Sequence, residues 1–274
     1  MTEYEKMIKG KIYSPSDPSA NEIAHNMHKL VMDYNNLYDT DPKRKELIDK
    51  IFPLHKGAIY VQGNLYVDYG IHITIGDHFY ANNGLTILDV CPVTIGDNCF
   101  FGPNVSIYTP IHPLMYQERN QYYDENIKRY TDKEYGAPVK IGDNCWLGGN
   151  VTVLPGVTIG NGCVIGAGSV VTHDIPDGYL AFGNPCKAIR KITKEDSIYK
   201  KEELWWQILY YGNVRICNHM CYVSESLSRK WLKYYKGFRV LPCMVHHLKK
   251  LKSQSNLRLL FLSLILHLLL NMII

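Results

Sequence analysis

The sequence predicts a mainly β protein, a parallel β-helix of hexapeptide repeats with a short N-terminal helical segment and an atypical C-terminal tail. Three observations carry this. Ile141, Leu147, Val153, Ile159, Ile165 and Val171 stand six apart without a break. Val139, Cys145, Val151, Val157, Cys163 and Ser169 stand two places before them. Gly followed by Asp or Asn trails the aliphatic residue at 75–77, 95–97, 141–143 and 159–161. A period of six fits neither an amphipathic helix nor a hairpin protein, but it fits strand-plus-turn units stacked into a triangular coil of 18 residues.

Residues 1–55 read as helical. Ser16 or Asp17 can cap a helix with Pro18 in its first turn, and Ser19 with Glu22 offers a second capping spacing. Ile23, Met27, Leu30, Val31, Tyr34 and Leu37 then recur at helical spacing. A second helix is expected from Thr40, Asp41 and Pro42 onward, with Leu47, Ile48, Ile51 and Phe52 on its apolar face.

The repeat domain is expected over 56–204. Its earlier part keeps the beat with Ile75, Ala81 and Ile87, then Ile95, Phe101 and Ile107. Each aliphatic residue should point to the axis. Gly or Asn at the corners tolerates positive φ, which strains a β-branched residue. Cys145 and Cys163, one coil apart, should stack as small core residues rather than form a disulfide. The beat breaks once, because Ile107 and Ile141 are 34 residues apart. The polar, tyrosine-rich stretch 108–138 therefore reads as a long loop leaving the coil, and such loops on rigid scaffolds often carry function. His112 stands near its start, between Ile111 and Pro113.

The tail, 205–274, has no hexads. It holds ten Lys/Arg and one acid, Glu225, whereas residues 1–204 hold 20 bases and 25 acids. The formal charge of +4 thus hides a mildly acidic body. That disfavours a nucleic-acid role, which needs a clustered positive field. Cys217, His219 and Cys221 lack a second ligand pair at zinc spacing, so no metal is expected. The apolar run 259–274 has 16 residues, short of the ~20 that span a bilayer. No signal-like stretch opens the chain, so the eight cysteines read as reduced thiols of a cytoplasmic protein.

The ordered strings YANNGLTILDVCPVTIGDNCFFGPNVSIYTPIHPL and YGAPVKIGDNCWLGGNVTVLPGVTIGNGCVIGAGSVVTHDIPDGYLAFGNPCKAIRKI resemble the hexapeptide-repeat sugar O-acetyltransferases. The maltose and galactoside group is nearest, and LDVCPVTIGDNC with IYTPIHPL favours the maltose type. The resemblance spans roughly residues 3–195. It implies a left-handed coil, a homotrimer with sites between neighbours, and acetyl transfer from acetyl-CoA to a sugar hydroxyl, with no metal.

The resemblance also implies site residues. His112 matches the catalytic histidine, a base able to take a hydroxyl proton near neutral pH. Asp17, Asp68, Asn82 and Asp89 match or neighbour acceptor contacts, carboxylates and amides being suited to sugar hydroxyls. Val90 stands where galactoside enzymes carry a second acid, which makes a galactoside acceptor less favoured. On the CoA side stand Trp146, Gly148, Gly149, Ala167, Thr172, His173, Lys187 and Arg190. The small residues admit the pantetheine arm, and the cations meet phosphates. His173 replaces a lysine of the family pattern. Three alternatives stay open at this point: a scaffold without catalysis, a non-sugar hydroxyl acceptor, and a metal hydratase. The last needs several histidines at coil spacing, which His72, His78 and His112 do not supply.

Overall fold

A computed structural model describes residues 1–200. The expectations for 205–274, including the 217–221 string and the 259–274 run, lie outside the described residues. Each hexad folds as a short strand and a corner, and the strands stack in parallel into three sides. The first side stacks Leu54–His55, Ile73–Ile75, Val93–Ile95, Val139–Ile141 and Thr158–Ile159. The second stacks Ile59–Val61, Phe79–Ala81, Phe100–Phe101, Trp146–Leu147, Val164–Ile165 and Tyr179–Phe182. It ends in an antiparallel strand, Lys187–Lys191. The third stacks Leu65–Val67, Leu85–Leu88, Ser106–Tyr108, Thr152–Val153 and Val170–Val171.

The hexad residues face the axis as expected. Ile75, Ile87, Ile141, Leu147, Val153, Ile159, Ile165 and Val171 are fully buried. Cys99 joins Cys145 and Cys163 in one buried column, and all three are free thiols. The Gly-Asp/Asn pairs have a specific cause. A side-chain oxygen of each Asp or Asn accepts a backbone N–H from the coil before it: Asp77 N–H donates to Asp97 at 2.8 Å, Asp97 to Asp143 at 2.9 Å, and Asp143 to Asn161 at 2.8 Å. The preceding residue must then be glycine. A Cβ on Gly96 would stand 2.2 Å from Oδ1 of Asp143. Asn98 and Asn144 turn the next corner at φ 55° and 58°, a region that asparagine enters more readily than most residues.

The coil length differs from expectation in the first part. Ile141 pairs with Ile159, eighteen residues on, but Ile75 pairs with Ile95, twenty on. The two additional residues fall at the third corner, between Val67 and Ile73 and again between Leu88 and Val93. The excursion leaves from the same corner one coil later. It is more structured than a plain loop. It holds a short helix, Tyr116–Arg119, a hairpin of Tyr122–Asp124 with Arg129–Thr131, and a closing pair, Pro110–Ile111 with Tyr135–Gly136.

The helices cover the start of the coil. Pro18–Asn35 begins on its proline, so Asp17 stands at the cap, and Lys43–Ile51 follows Pro42. Met27, Val31, Tyr34, Ile48, Ile51 and Phe52 join the core of the prism. The Tyr34 hydroxyl donates to Val61 O at 2.6 Å, and the buried Arg44 guanidinium lies 3.9 Å from the Tyr34 ring centre. Arg44 also donates to Val61 O at 3.2 Å and Gly63 O at 2.6 Å, so that with Tyr34 it pairs carbonyls at the open end of the coil. A further helix, Glu3–Ile8, has a reciprocal Thr2–Glu5 capping box. With Tyr13, Tyr69, Val90 and Cys91, its Met7 forms a second apolar cluster against the third corner.

Candidate active site

The third corner collects ionisable groups because the chain is longer there. Asp89, fully buried, accepts N–H bonds from Asp68 at 3.1 Å and Tyr69 at 2.9 Å through Oδ1. Its Oδ2 is buried without a hydrogen-bond partner. Burial pushes the Asp89 carboxyl up to about 6, against the backbone N–H bonds that favour its anion. Asp68 is pushed up to about 7, first by burial and then by the Asp89 charge, while a bond from the Tyr66 hydroxyl opposes the rise. The Glu134 charge adds to it, which ties Asp68 electrostatically to the excursion. His72 donates or accepts at both nitrogens, with Nδ1 near Asp89 O and Nε2 2.7 Å from the Tyr4 hydroxyl. Burial holds its pKa below the usual histidine range.

His112 follows the strand Pro110–Ile111 at the root of the excursion, with its side chain 53% exposed. The return segment brings two acids to it. Asp132 Oδ2 lies 3.7 Å from Nδ1 and Glu134 Oε1 3.6 Å from Nε2. The sequence reading missed both acids, and missed Tyr13, which donates to Glu134. No local spacing marks them, since Tyr13 and Glu134 are 121 residues apart. The Glu3–Ile8 helix was missed too, although Thr2 and Glu5 carry its capping signal.

The remaining site residues divide between corners. Asn82 lies at the second corner, half-buried, its N–H donating to Phe101 O and its Oδ1 accepting from Asn83 N–H. Gly148 stacks two coils on at this corner, and a Cβ there would meet Ala167 N at 2.6 Å. Coil stacking alone therefore requires glycine at 148. A Cβ on Gly149 would meet the Pro103 ring at 3.2 Å. Trp146 is 45% exposed on the second side, in register with Phe100 and Val164. Thr172 and His173 share a 2.8 Å hydrogen bond after the last third-side strand. Lys187 and Arg190 stand on the exposed edge strand, and Arg190 forks onto Asp196 at 2.8 and 2.7 Å. In one chain, then, Asp68, Asp89 and His112 share the third corner. Asn82, Gly148, Gly149 and Ala167 share the second. Asp17 sits at the helix cap.

Comparisons with known proteins agree with this architecture. Residues 138–173 match the bacterial transferase hexapeptide (six repeats) family, and 92–112 match the hexapeptide repeat of succinyl-transferase. Residues 6–55 match the maltose acetyltransferase hexapeptide capping motif. A galactoside O-acetyltransferase of Escherichia coli is 37% identical over 196 residues, covering 71% of this chain and 92% of that protein. A solved maltose O-acetyltransferase from Clostridium difficile 630 is 42% identical at a TM-score of 0.62, covering 71% of this chain and 99% of that one. A galactoside acetyltransferase solved with coenzyme A is 36% identical at a TM-score of 0.66, covering 74% and 97%. No helix among the described residues is long and apolar enough to cross a membrane.

Proposed function

The chain belongs to the hexapeptide-repeat acetyltransferases, and on that premise we propose that it transfers the acetyl group of acetyl-CoA to a hydroxyl of a small sugar such as maltose. The observation that carries the reading is His112, half-exposed at the excursion root beside Asp132 and Glu134, the second of which also acts on the raised carboxyl of Asp68. A hydroxyl is a weak nucleophile, so a ring nitrogen of His112 takes its proton as the oxygen attacks the thioester carbonyl. The imidazolium then returns that proton to the departing sulfur. Asp68, Asn82 and Asp17 are assigned to the sugar hydroxyls. Asp89 acts from behind: fully buried, it fixes the backbone of 68 and 69 and so aims Asp68.

Trp146, Gly149, Ala167, Thr172, His173, Lys187 and Arg190 are assigned to acetyl-CoA. Arg190 reaches a phosphate only by sharing or exchanging its Asp196 contact. Within one prism Asp68 and His112 stand at the third corner while Asn82, Gly149 and Ala167 stand at the second, so a site that uses both groups is better built between copies in a homotrimer. The cytoplasm, where acetyl-CoA and reduced cysteines coexist, is the proposed location.

A panel of maltose, glucose and methyl galactosides, assayed for CoA thiol release, tests the reading. Turnover of maltose or another sugar is expected, with a loss of about 10²–10⁴ in His112→Ala and acetyl-CoA binding intact. Tight acetyl-CoA binding with no turnover of any sugar would refute the sugar acceptor. A monomeric mass for the active protein would refute the shared site.

A further inference from the structure

The return of the excursion places a carboxylate at each ring nitrogen of His112, Asp132 at Nδ1 and Glu134 at Nε2. Glu134 is firmly anchored. The Tyr13 hydroxyl donates to its Oε2 at 2.5 Å. The two backbones also exchange hydrogen bonds, Tyr13 N–H to Glu134 O at 2.9 Å and Glu134 N–H to Tyr13 O at 3.1 Å. Tyr13 is 2% exposed. Burial and the Glu134 charge push its hydroxyl pKa far up, so it stays a donor.

These three side chains, with ligand atoms all within 4.8 Å of one another, could suggest a metal site. An ion, however, needs one ring nitrogen and both carboxylates at about 2.0–2.2 Å from a single point. Here each carboxylate addresses a different nitrogen. The arrangement fits a proton better. At 3.7 and 3.6 Å the two acids stand at ion-pair rather than hydrogen-bond distance, so they act on the ring by charge: the neutral imidazole gains little from them, and the imidazolium, which shares its positive charge over both nitrogens, is attracted to both. The pair is thus complementary to the state that His112 reaches after taking the acceptor proton, a preference for the transition state over the ground state.

We propose that Asp132 and Glu134 form a carboxylate clamp for the His112 imidazolium, with Tyr13 holding Glu134 in place. The inference rests on the reading of His112 as general base. All three are positioning residues, acting through the ring. Because neither acid is hydrogen-bonded to the half-exposed ring, one nitrogen stays open to take the hydroxyl proton and pass it to the CoA sulfur, and both carboxylates stay ionised throughout.

The full chain is assayed with acetyl-CoA and its best sugar as His112→Ala, Glu134→Gln, Glu134→Asp, Tyr13→Phe and the Tyr13→Phe/Glu134→Gln double variant. Gln keeps the length and still accepts from Tyr13, so it removes the charge alone. Glu134→Gln is expected to lower kcat by about 10–100-fold with the acetyl-CoA KM within about twofold. Glu134→Asp should recover part of the rate. Tyr13→Phe should lower kcat by about three- to tenfold and add nothing to Glu134→Gln, because it acts through that carboxylate. If Glu134→Gln melts well below the wild type, Asp132→Asn, outside the Tyr13 contact, is judged by the same criteria. A kcat within twofold of wild type in the folded charge-removal variant overturns the clamp. Multiplicative losses in the double variant overturn the route from Tyr13. A His112→Ala protein that keeps the wild-type rate instead overturns the base assignment, and the two failures are thereby told apart.

Discussion

Asp68→Asn should stabilise the protein above neutral pH while lowering its activity. The Asp68 carboxyl rises from 3.8 to about 7 because burial and the Asp89 charge disfavour its anion. The native state therefore holds this proton more tightly than the unfolded chain does. Between about pH 4 and 7 the native state binds more protons, so stability falls as pH rises, and the whole deficit is present above 7. A rise of this size sets a ceiling of about 4 kcal/mol. Partial solvent access and the linked titration of Asp89 reduce the expected gain to about 2 kcal/mol. Asn removes the charge and keeps an acceptor for the Tyr66 hydroxyl. In a domain of this size the gain corresponds to about 4–8 °C in Tm at pH 8, and to almost nothing at pH 4. Thermal unfolding followed by circular dichroism at pH 4, 6 and 8 measures it. Equal stabilisation at pH 4 and 8, or destabilisation at pH 8, would refute the electrostatic argument. A sugar kcat/KM unchanged by the same substitution would remove Asp68 from the acceptor site.

Three further outcomes are expected. Arg190→Ala should raise the acetyl-CoA KM with kcat nearly unchanged, since it removes binding common to ground and transition states; a fall in kcat alone would contradict this. Gly10→Ala should cost about 2 kcal/mol, because φ is +68° and the added Cβ would stand 2.6 Å from Gly136 O, where only backbone movement gives relief; an unchanged Tm would show that the N-terminal segment docks loosely. Ending the chain after Leu204 should leave acetyl transfer largely intact, as the matched residues all precede it; a folded, CoA-binding but inactive truncation would assign the tail a part in turnover.

Much of the fold was legible in the sequence because a hexapeptide coil encodes itself locally. An aliphatic residue every six places, with Gly-Asp/Asn at the corners, states which residues face the axis and where the chain turns. His112 stood out as a candidate through its motif at the break in the beat. The capping signal of Thr2 and Glu5, and the eight-residue step from Ile87 to Ile95, were equally present but unread. Other features depended on which coils lie side by side. That Asp89 is buried beneath Asp68 follows from the third-corner residues of two successive coils meeting. Arg190 meets Asp196 because the chain folds back past the edge strand. Tyr13 reaches Glu134 because the N-terminal segment docks on the returning excursion. Periodicity specifies the environment of a residue relative to its own coil. The charges and hydrogen bonds that tune a carboxylate or an imidazole come from other coils and segments, and those neighbours exist only once the coils have stacked.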